Sequence, residues 1–182
     1  TAQNRTAGRL QRYGFVLHSA SLIPLIWEND FLLVSNGADY YYWLAWVLSC
    51  VFFLASRELA YPVIGTCVNG AAALFMLSSS YLVHLESGSR FAQSNSVFLS
   101  FHVVPALISE AGLVLALISS FVYMLHERRI KSKVSSLLLQ KGPSLAFLNT
   151  LVARSVLVGF VAMTISILSG CLWAVVEGHS LL

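Results

Sequence analysis

The sequence predicts an all-α membrane protein, a polytopic bundle of five transmembrane helices with its N-terminus in the cytoplasm. Three observations predict this fold. Of the 182 residues, 57% are hydrophobic and only 10% are charged, whereas a soluble domain carries about 25% charged residues. The apolar residues form five runs, and a helix needs ~20 such residues to cross the bilayer core. The basic residues collect on one side of these runs, which is typical of the cytoplasmic side of a membrane.

The five predicted helices form a single domain over residues 1–182. The first helix is the shortest and least apolar, and the third starts with Pro62, which fits the first turn of a helix. The fourth helix leads into a basic cluster, which consists of Arg128, Arg129, Lys131, Lys133 and Lys141. The predicted helices cover residues 11–27, 40–56, 61–85, 97–126 and 154–176.

Prolines and aromatic residues lie near several ends of these predicted helices. Pro105 lies near the start of the fourth helix, where it should produce a kink and leave the carbonyl of Phe101 without its helical donor. Pro143 and Ser144 could start a short surface helix before the fifth transmembrane helix. Residues 40–43, three tyrosines and a tryptophan, are expected to form an aromatic belt at the outer interface.

The distribution of lysine and arginine predicts the orientation. With the N-terminus inside, ten of the eleven basic residues lie on the cytoplasmic side and Arg90 alone lies outside. This orientation places His102, at the start of the fourth helix, near the outer face. The inner residues are Arg5, Arg9, Arg12, Arg57, Arg154 and the basic cluster.

The composition also excludes several classes of function. The net charge of +3 is sorted by side of the membrane, so it does not indicate nucleic-acid binding. Cys50, Cys67 and Cys171 lie in apolar segments outside any paired motif, so neither a disulfide framework nor a zinc site is indicated. The sequence has no phosphate-binding loop, His-Glu-x-x-His pair or Gly-x-Ser-x-Gly elbow. No residue is therefore assigned a catalytic role.

His102 is the main candidate for a ligand. The 3.6-residue period puts small residues, including Ala106, Ser109, Ala116 and Ser120, on the same helix face, and such residues allow close helix packing. An imidazole at the outer end of this face could bind a metal or a haem iron. An interfacial histidine that hydrogen-bonds water is the equally weighted alternative.

His84, His18 and Glu110 are weaker candidates for function. His84 ends the third helix near the outer face and could share a haem with His102, although a snorkelling interfacial side chain is the simpler interpretation. His18 lies within the first helix, where it could bind haem inside the bilayer or hydrogen-bond a facing serine. Glu110 is the one acid deep in a helix, so it should face protein or water, or be protonated. Its possible roles are a hydrogen bond to the haem edge, a proton relay or a structural contact.

Three motifs occur in an order that resembles a known family. His-Val-x-Pro opens the fourth helix at His102, and Tyr-x-Leu-x-Glu-Arg-Arg-hydrophobic-Lys ends it at Lys131. Pro143 then begins a Pro-Ser-Leu segment, which leads to Gly-Phe and to a Gly-x-x-Trp-Ala motif containing Gly170 and Trp173. Over about residues 14–174 this pattern resembles the cytochrome c assembly membrane proteins, which handle haem in c-type cytochrome biogenesis.

The resemblance implies that the chain binds haem near the outer membrane face and helps to deliver it to apocytochrome c. The chain would be a haem chaperone or a subunit of a haem lyase system in the bacterial inner membrane. Its partners would be other membrane proteins of cytochrome c biogenesis. His102 would be an axial ligand of the haem iron, while Trp173 and the aromatic belt would pack against the porphyrin.

The family's tryptophan-rich outer loop should follow Trp173. Residues 175–182 contain no tryptophan, and His179 is the one histidine among them. We therefore expect the chain to be the N-terminal part of a larger family domain, and to bind haem weakly or not at all. The alternative function is a non-catalytic membrane scaffold or transporter subunit without haem, with Glu110 and His18 as buried polar contacts. A quinone-reactive cytochrome b subunit ranks lowest because His18 lacks an evident partner at its depth.

Overall fold

The computed structural model describes residues 2–28, 34, 36–55, 62–85, 97–132 and 143–176. Five α-helices account for nearly all of these residues, and the described part of the chain contains no β-strand, which confirms the all-α prediction. The helices are α1 (Ala2–Glu28), α2 (Gly37–Ala55), α3 (Pro62–Leu85), α4 (Val97–Lys131) and α5 (Leu145–Val176). His179 and the rest of the segment after Val176 lie outside the described residues.

The start of α5 differs from the predicted one. The backbone N–H of Phe147 donates to the hydroxyl of Ser144 at 3.1 Å, so Ser144 caps the helix. From Leu145 onwards no glycine or proline interrupts the first turns, and the helix continues without a break to Val176. The predicted separate surface helix is therefore wrong. Arg154, expected at the helix start, lies well inside α5.

α1 also begins earlier than predicted, at Ala2 rather than residue 11. α2 begins where Asn36 supplies a cap, because its side-chain Oδ1 accepts a hydrogen bond from the backbone N–H of Asp39 at 2.8 Å. The carboxylate of Asp39 lies in the first turn, where the helix dipole favours negative charge.

Three of the five helices are long and apolar enough to cross a bilayer, and they make this chain a membrane protein. The qualifying segments are Val63–Leu85, Phe101–Lys131 and Leu145–Val175. α1 carries several polar and basic residues, while α2 has only 19 residues and includes Asp39 and three tyrosines. Within the described residues, those two helices do not reach the same apolar length.

The bundle is centred on α4, which packs most extensively on α5 and also contacts α2 and α3. α1 lies on the outside of α2. The core consists mainly of large aliphatic side chains and includes residues of all five helices, with Leu22 contributed by α1. Its most buried members are Leu44, Leu48, Ile64, Val68, Leu115 and Leu148.

α4 and α5 run antiparallel and approach closely through small residues. The hydroxyl of buried Ser109 donates to the carbonyl of Gly159 at 2.8 Å. A Cβ added to Gly112 would lie 3.2 Å from the carbonyl oxygen of Ser155. Small side chains allow this approach, and the interhelical hydrogen bond adds to the packing. The predicted small-residue face is present at Ser109 and Ala116, which are both buried.

Candidate functional site

His102 lies near the start of α4 and turns its imidazole towards α5. The Nδ1 atom lies 2.8 Å from the backbone carbonyl oxygen of Ser166. The hydroxyl of Ser166 donates to the backbone carbonyl of His102 at 2.9 Å, and its oxygen is 3.2 Å from Nδ1. The two residues are thus joined through both main chain and side chain. This double contact holds the half-buried imidazole in one orientation.

The contact with Ser166 determines which ring nitrogen is available as a ligand. The carbonyl oxygen of Ser166, 2.8 Å from Nδ1, can only accept a hydrogen bond. The proton of a neutral imidazole must therefore lie on Nδ1. The Nε2 atom is then unprotonated and keeps its lone pair. Histidines that bind metals in proteins commonly donate their other ring N–H to a backbone carbonyl in this manner. At Nδ1, His102 thus makes the contact that metal-binding histidines commonly make with the ring nitrogen that does not bind the metal.

Gly170 provides the space for this imidazole. A Cβ added at Gly170 would lie only 2.7 Å from Nδ1 and 2.9 Å from Cε1 of His102. Any side chain at this position would displace the ring or separate the helices. The ring of His102 therefore occupies the volume that a residue other than glycine would fill.

Ser169 completes the contact between the two helices at this end. Its hydroxyl is placed to donate to the carbonyl of Phe101 at 3.2 Å and to the carbonyl of Ser166 at 2.9 Å. Phe101 is the residue whose carbonyl loses its helical donor because Pro105 has no N–H. A side chain of α5 thus supplies a donor to the carbonyl that the sequence predicts to be free. The kink at Pro105 itself stays a prediction.

The aromatic candidates divide between this site and the core. Trp173 is half-buried and lies seven residues after Ser166, on the same face of α5 as His102's contacts. Trp43 is only 7% exposed and packs edge-on against Trp46, so it belongs to the core rather than to an interfacial belt. Tyr42 contacts Ser21 and His18 of α1, so it lies in a different part of the bundle from the contacts of His102.

Glu110 faces protein, as predicted for a carboxyl group inside an apolar helix. It is half-buried and forms a hydrogen bond with the hydroxyl of Tyr40. This contact connects α4 to the start of α2. The interpretation of Glu110 as a structural contact is therefore the one that the geometry favours.

His18 lies in a second polar region, between α1 and α2. Its ring packs edge-on against Tyr42, with centroids 4.9 Å apart. Its Nε2 atom is buried and, among the described residues, has no hydrogen-bond partner. The neighbouring serines of α1 do not bond the imidazole: the hydroxyl of Ser21 contacts the backbone carbonyl of His18 at 2.7 Å and the hydroxyl of Tyr42, while that of Ser19 accepts from Trp46 at 2.9 Å. The serine-bonded interpretation of His18 is therefore not the one that these contacts favour.

A cavity of about 800 Å³ adjoins His18. It lies among α1, α2 and α3, and its walls are mainly apolar with a few polar groups. The polar groups are Gln11, His18, Ser21, Tyr42, Ser49 and Asn69. His18 is thus a separate candidate site from His102.

His84 is the penultimate residue of α3, at the end of the bundle where α4 begins, and its side chain is exposed. The described part of the chain contains no group of three or more histidine, cysteine or acidic residues placed to hold a metal ion.

Ser166 and Ser169 were not predicted from the sequence, and Gly170 was identified only as part of a motif. Their spacing contains a usable signal. Ser166, Ser169 and Gly170 follow one another at i, i+3 and i+4, so they form one small and polar patch on an otherwise apolar helix. Such a patch indicates a face that packs against another helix and not against lipid.

Comparisons with known proteins show which family the sequence resembles. Residues 34–179 match the family described as cytochrome C assembly protein. The cytochrome c biogenesis protein CcsA of Prochlorococcus marinus is 28% identical over 163 residues, which cover 78% of this chain and 53% of the relative. CcsA of Parasynechococcus marenigrum is 23% identical over 186 residues, covering 87% of this chain and 60% of the relative.

No solved structure matches the chain. The chain spans between about half and three-fifths of the length of these relatives. The family match extends over most of the sequence, from before α2 to beyond α5, and includes His102, Ser166, Gly170 and Trp173. This chain belongs to the cytochrome c assembly protein family.

Proposed function

We propose that this chain handles haem in the biogenesis of c-type cytochromes, with Nε2 of His102 as an axial ligand of the haem iron. The observation that carries the proposal is the 2.8 Å contact between Nδ1 and the carbonyl of Ser166. That contact makes Nε2 the unprotonated nitrogen and aligns the ring. Membership of the family and similarity to CcsA proteins support the role in cytochrome c biogenesis.

Each residue of the site has a distinct part in this proposal. Ser166 orients the imidazole through its carbonyl and anchors the backbone of His102 through its hydroxyl. Gly170 leaves room for the ring. Trp173 supplies aromatic surface that can pack against a flat macrocycle. When bound, haem supplies an iron centre for the imidazole and vinyl groups that react with the thiols of apocytochrome c.

The proposed location is the outer face of the bacterial inner membrane, with the N-terminus of the chain in the cytoplasm. The partners would be apocytochrome c and further membrane proteins of cytochrome c biogenesis. His102 alone would provide one of the two axial ligands that a haem iron can take. We therefore expect the 182-residue chain to retain haem only weakly.

The test compares two histidines at opposite ends of α4. The purified chain in detergent, supplied with haem, should show a Soret band whose titration gives the affinity. His102→Ala should weaken haem binding by at least about tenfold, because an axial ligand is lost. His126→Ala, at the other end of the helix, should leave the affinity unchanged. Equal affinities in the two variants would remove His102 from the mechanism.

His18→Ala belongs in the same titration. The buried Nε2 of His18 and the adjoining cavity make it the second candidate ligand. A loss of the Soret band in this variant alone would move the haem site into the bundle. If no variant changes the spectrum and the protein stays colourless and fully stable, the alternative function as a scaffold or transporter subunit is favoured.

A further inference from the structure

Two neighbouring cavities lie between α1 and the helices α2 and α3. The larger, of about 800 Å³, is the cavity beside His18. The smaller, of about 330 Å³, is lined by Asp39 and Ser79 at the end of the bundle where α2 begins. Ser21 and Tyr42 line both cavities, so the two meet at these side chains. We refer to the two cavities together as the α1 crevice.

The α1 crevice follows α3 along nearly all of its apolar length. At one end, Gln11 reaches the level of Gly65, because a Cβ added to Gly65 would lie 3.3 Å from its Oε1. At the other end the crevice is lined by Val83, eighteen residues further along α3, which corresponds to ~27 Å at 1.5 Å per residue. Since the segment Val63–Leu85 is long and apolar enough to cross a bilayer, the crevice crosses it too. One face of α3 lines both cavities through Asn69, Ala72, Ala73, Met76, Ser79, Ser80 and Val83.

The crevice carries hydrogen-bonding side chains at successive levels, although most of its wall is apolar. Among the described residues, the side-chain amides of Gln11 and Asn69 form no hydrogen bond with the protein. An acyl chain in the crevice would leave these amides facing hydrocarbon, which is unfavourable for any unpaired polar group. Water offers both donors and acceptors, and both cavities are large enough for several molecules. The polar groups are Gln11, His18, Ser21, Asp39, Tyr42, Ser49, Asn69, Ser79 and Ser80.

Two hydrogen-bonded hydroxyls lie where the two cavities meet. The hydroxyl of Ser21 donates to the backbone carbonyl of His18 at 2.7 Å. The hydroxyl of Tyr42 therefore donates to the oxygen of Ser21. A hydroxyl can accept a proton on its oxygen and pass its own proton on. One further titratable side chain lies on each side of this junction, since His18 lines the larger cavity and Asp39 the smaller.

We propose that water fills the α1 crevice and that protons cross the bundle through it. A proton from water in the larger cavity binds the oxygen of Tyr42, whose own proton passes to Ser21. Ser21 then releases its proton to water in the smaller cavity, and both hydroxyls turn back. One proton enters and one leaves, and His18 and Asp39 can hold the proton on either side. This path lies apart from the contacts of His102, so it does not depend on haem binding there.

The first experiment measures hydration at two adjacent residues of α3. Ala73 lines the crevice, while Leu74 is 65% exposed and points about 100° away around the helix. Ala73→Cys and Leu74→Cys are each made in the full chain after its three cysteines are replaced by alanine. N-ethylmaleimide added to native membranes should modify Ala73→Cys at least about tenfold faster, because the reacting thiolate forms in water and not in lipid. Equal rates would mean that the crevice holds no water, and would overturn the proposal.

The second experiment measures proton entry into vesicles that contain the purified chain and a trapped pH-sensitive dye. With an inside-negative potential set by potassium and valinomycin, acidification should be at least about tenfold faster than in protein-free vesicles. Tyr42→Phe should abolish this excess because it removes a hydroxyl of the junction, and Ser21→Ala should do the same. Tyr81→Phe is the matched control, since Tyr81 is 65% exposed and does not line the crevice.

Hydration of the Tyr42→Phe variant separates loss of the path from loss of the fold. Ala73→Cys should react with N-ethylmaleimide as fast in the Tyr42→Phe background as in the chain with Tyr42, because the cavity walls remain. Proton entry equal to that of protein-free vesicles would overturn the proposal. So would an excess that persists in both Tyr42→Phe and Ser21→Ala, since protons would then cross elsewhere.

Discussion

At the scale of single residues, the position of His102 was predictable but its orientation was not. The basic cluster and the His-Val-x-Pro motif place the residue at the end of α4 opposite the charges. The direction of the ring depends on Ser166 and Gly170, which are more than sixty residues away in the chain. Periodicity within α4 alone contains no information about such partners.

Gly170→Ala provides a test of the imidazole's position. The added Cβ would lie 2.7 Å from Nδ1, so the ring must leave its contact with Ser166. We expect a fall in haem affinity of about tenfold or more, measured by Soret titration, since a shift in ligand support commonly costs 10–100-fold. Gly70→Ala is the matched control because an added Cβ there meets nothing within 4 Å. Unchanged affinity in Gly170→Ala would argue against His102 as a ligand held in this orientation.

Tyr40→Phe tests the structural interpretation of Glu110. Without the tyrosine hydroxyl, a half-buried carboxyl group loses its hydrogen-bond partner, which costs about 1–3 kcal/mol. The free energy of unfolding of the purified chain in detergent should fall by this amount. Tyr81→Phe, at a position that is 65% exposed, should change it little. Equal effects of the two substitutions would mean that the contact between Tyr40 and Glu110 does not stabilise the bundle.

At the scale of secondary-structure elements, the existence of all five helices was predictable, whereas two of their starts were not. Apolar length is a local property, so runs of ~20 residues could be found directly. The start of α5 depends on the Ser144 cap, which the sequence suggested for a different, shorter helix. The shift of the start from residue 154 to Leu145 places Arg154 inside α5 rather than at its beginning.

Gly159→Ala tests the close approach of α4 and α5. A Cβ at this position would lie 3.2 Å from the carbonyl oxygen of Ser109, a backbone atom that cannot rotate away. Overpacking of this kind costs about 1–3 kcal/mol in the free energy of unfolding. Gly14→Ala, where an added Cβ has no neighbour within 4 Å, should be neutral or slightly stabilising. Similar values for both variants would show that the helices can separate without cost.

At the scale of the whole molecule, composition and the family match describe a membrane protein, and the charge asymmetry predicts its orientation. The orientation is independent of the fold, because either end of a bundle can face the cytoplasm. Ten basic residues lie on the predicted inner side and Arg90 alone on the outer side, so the cytoplasmic N-terminus stays a prediction from the sequence.

Reporter fusions measure this orientation directly. A reporter that is active only outside the cytoplasm should be active when fused after Leu182 and silent when fused after Lys133, because α5 crosses the membrane between them. The two fusions serve as controls for one another. The opposite pattern of activity would place His102 on the cytoplasmic side, and delivery of haem to an outer apocytochrome from that residue would no longer be tenable.

The sequence by itself determined the membrane class, the five helices and the end of the bundle at which His102 lies. These properties follow from local composition, apolar length and the sorting of charge, each readable within a short window. Only the tertiary structure decided that Nε2 is the available nitrogen of His102, that Trp43 is core, and that Gly170 leaves room for the imidazole. The reason is physical: each depends on a contact between helices that are distant in the chain, and on their register.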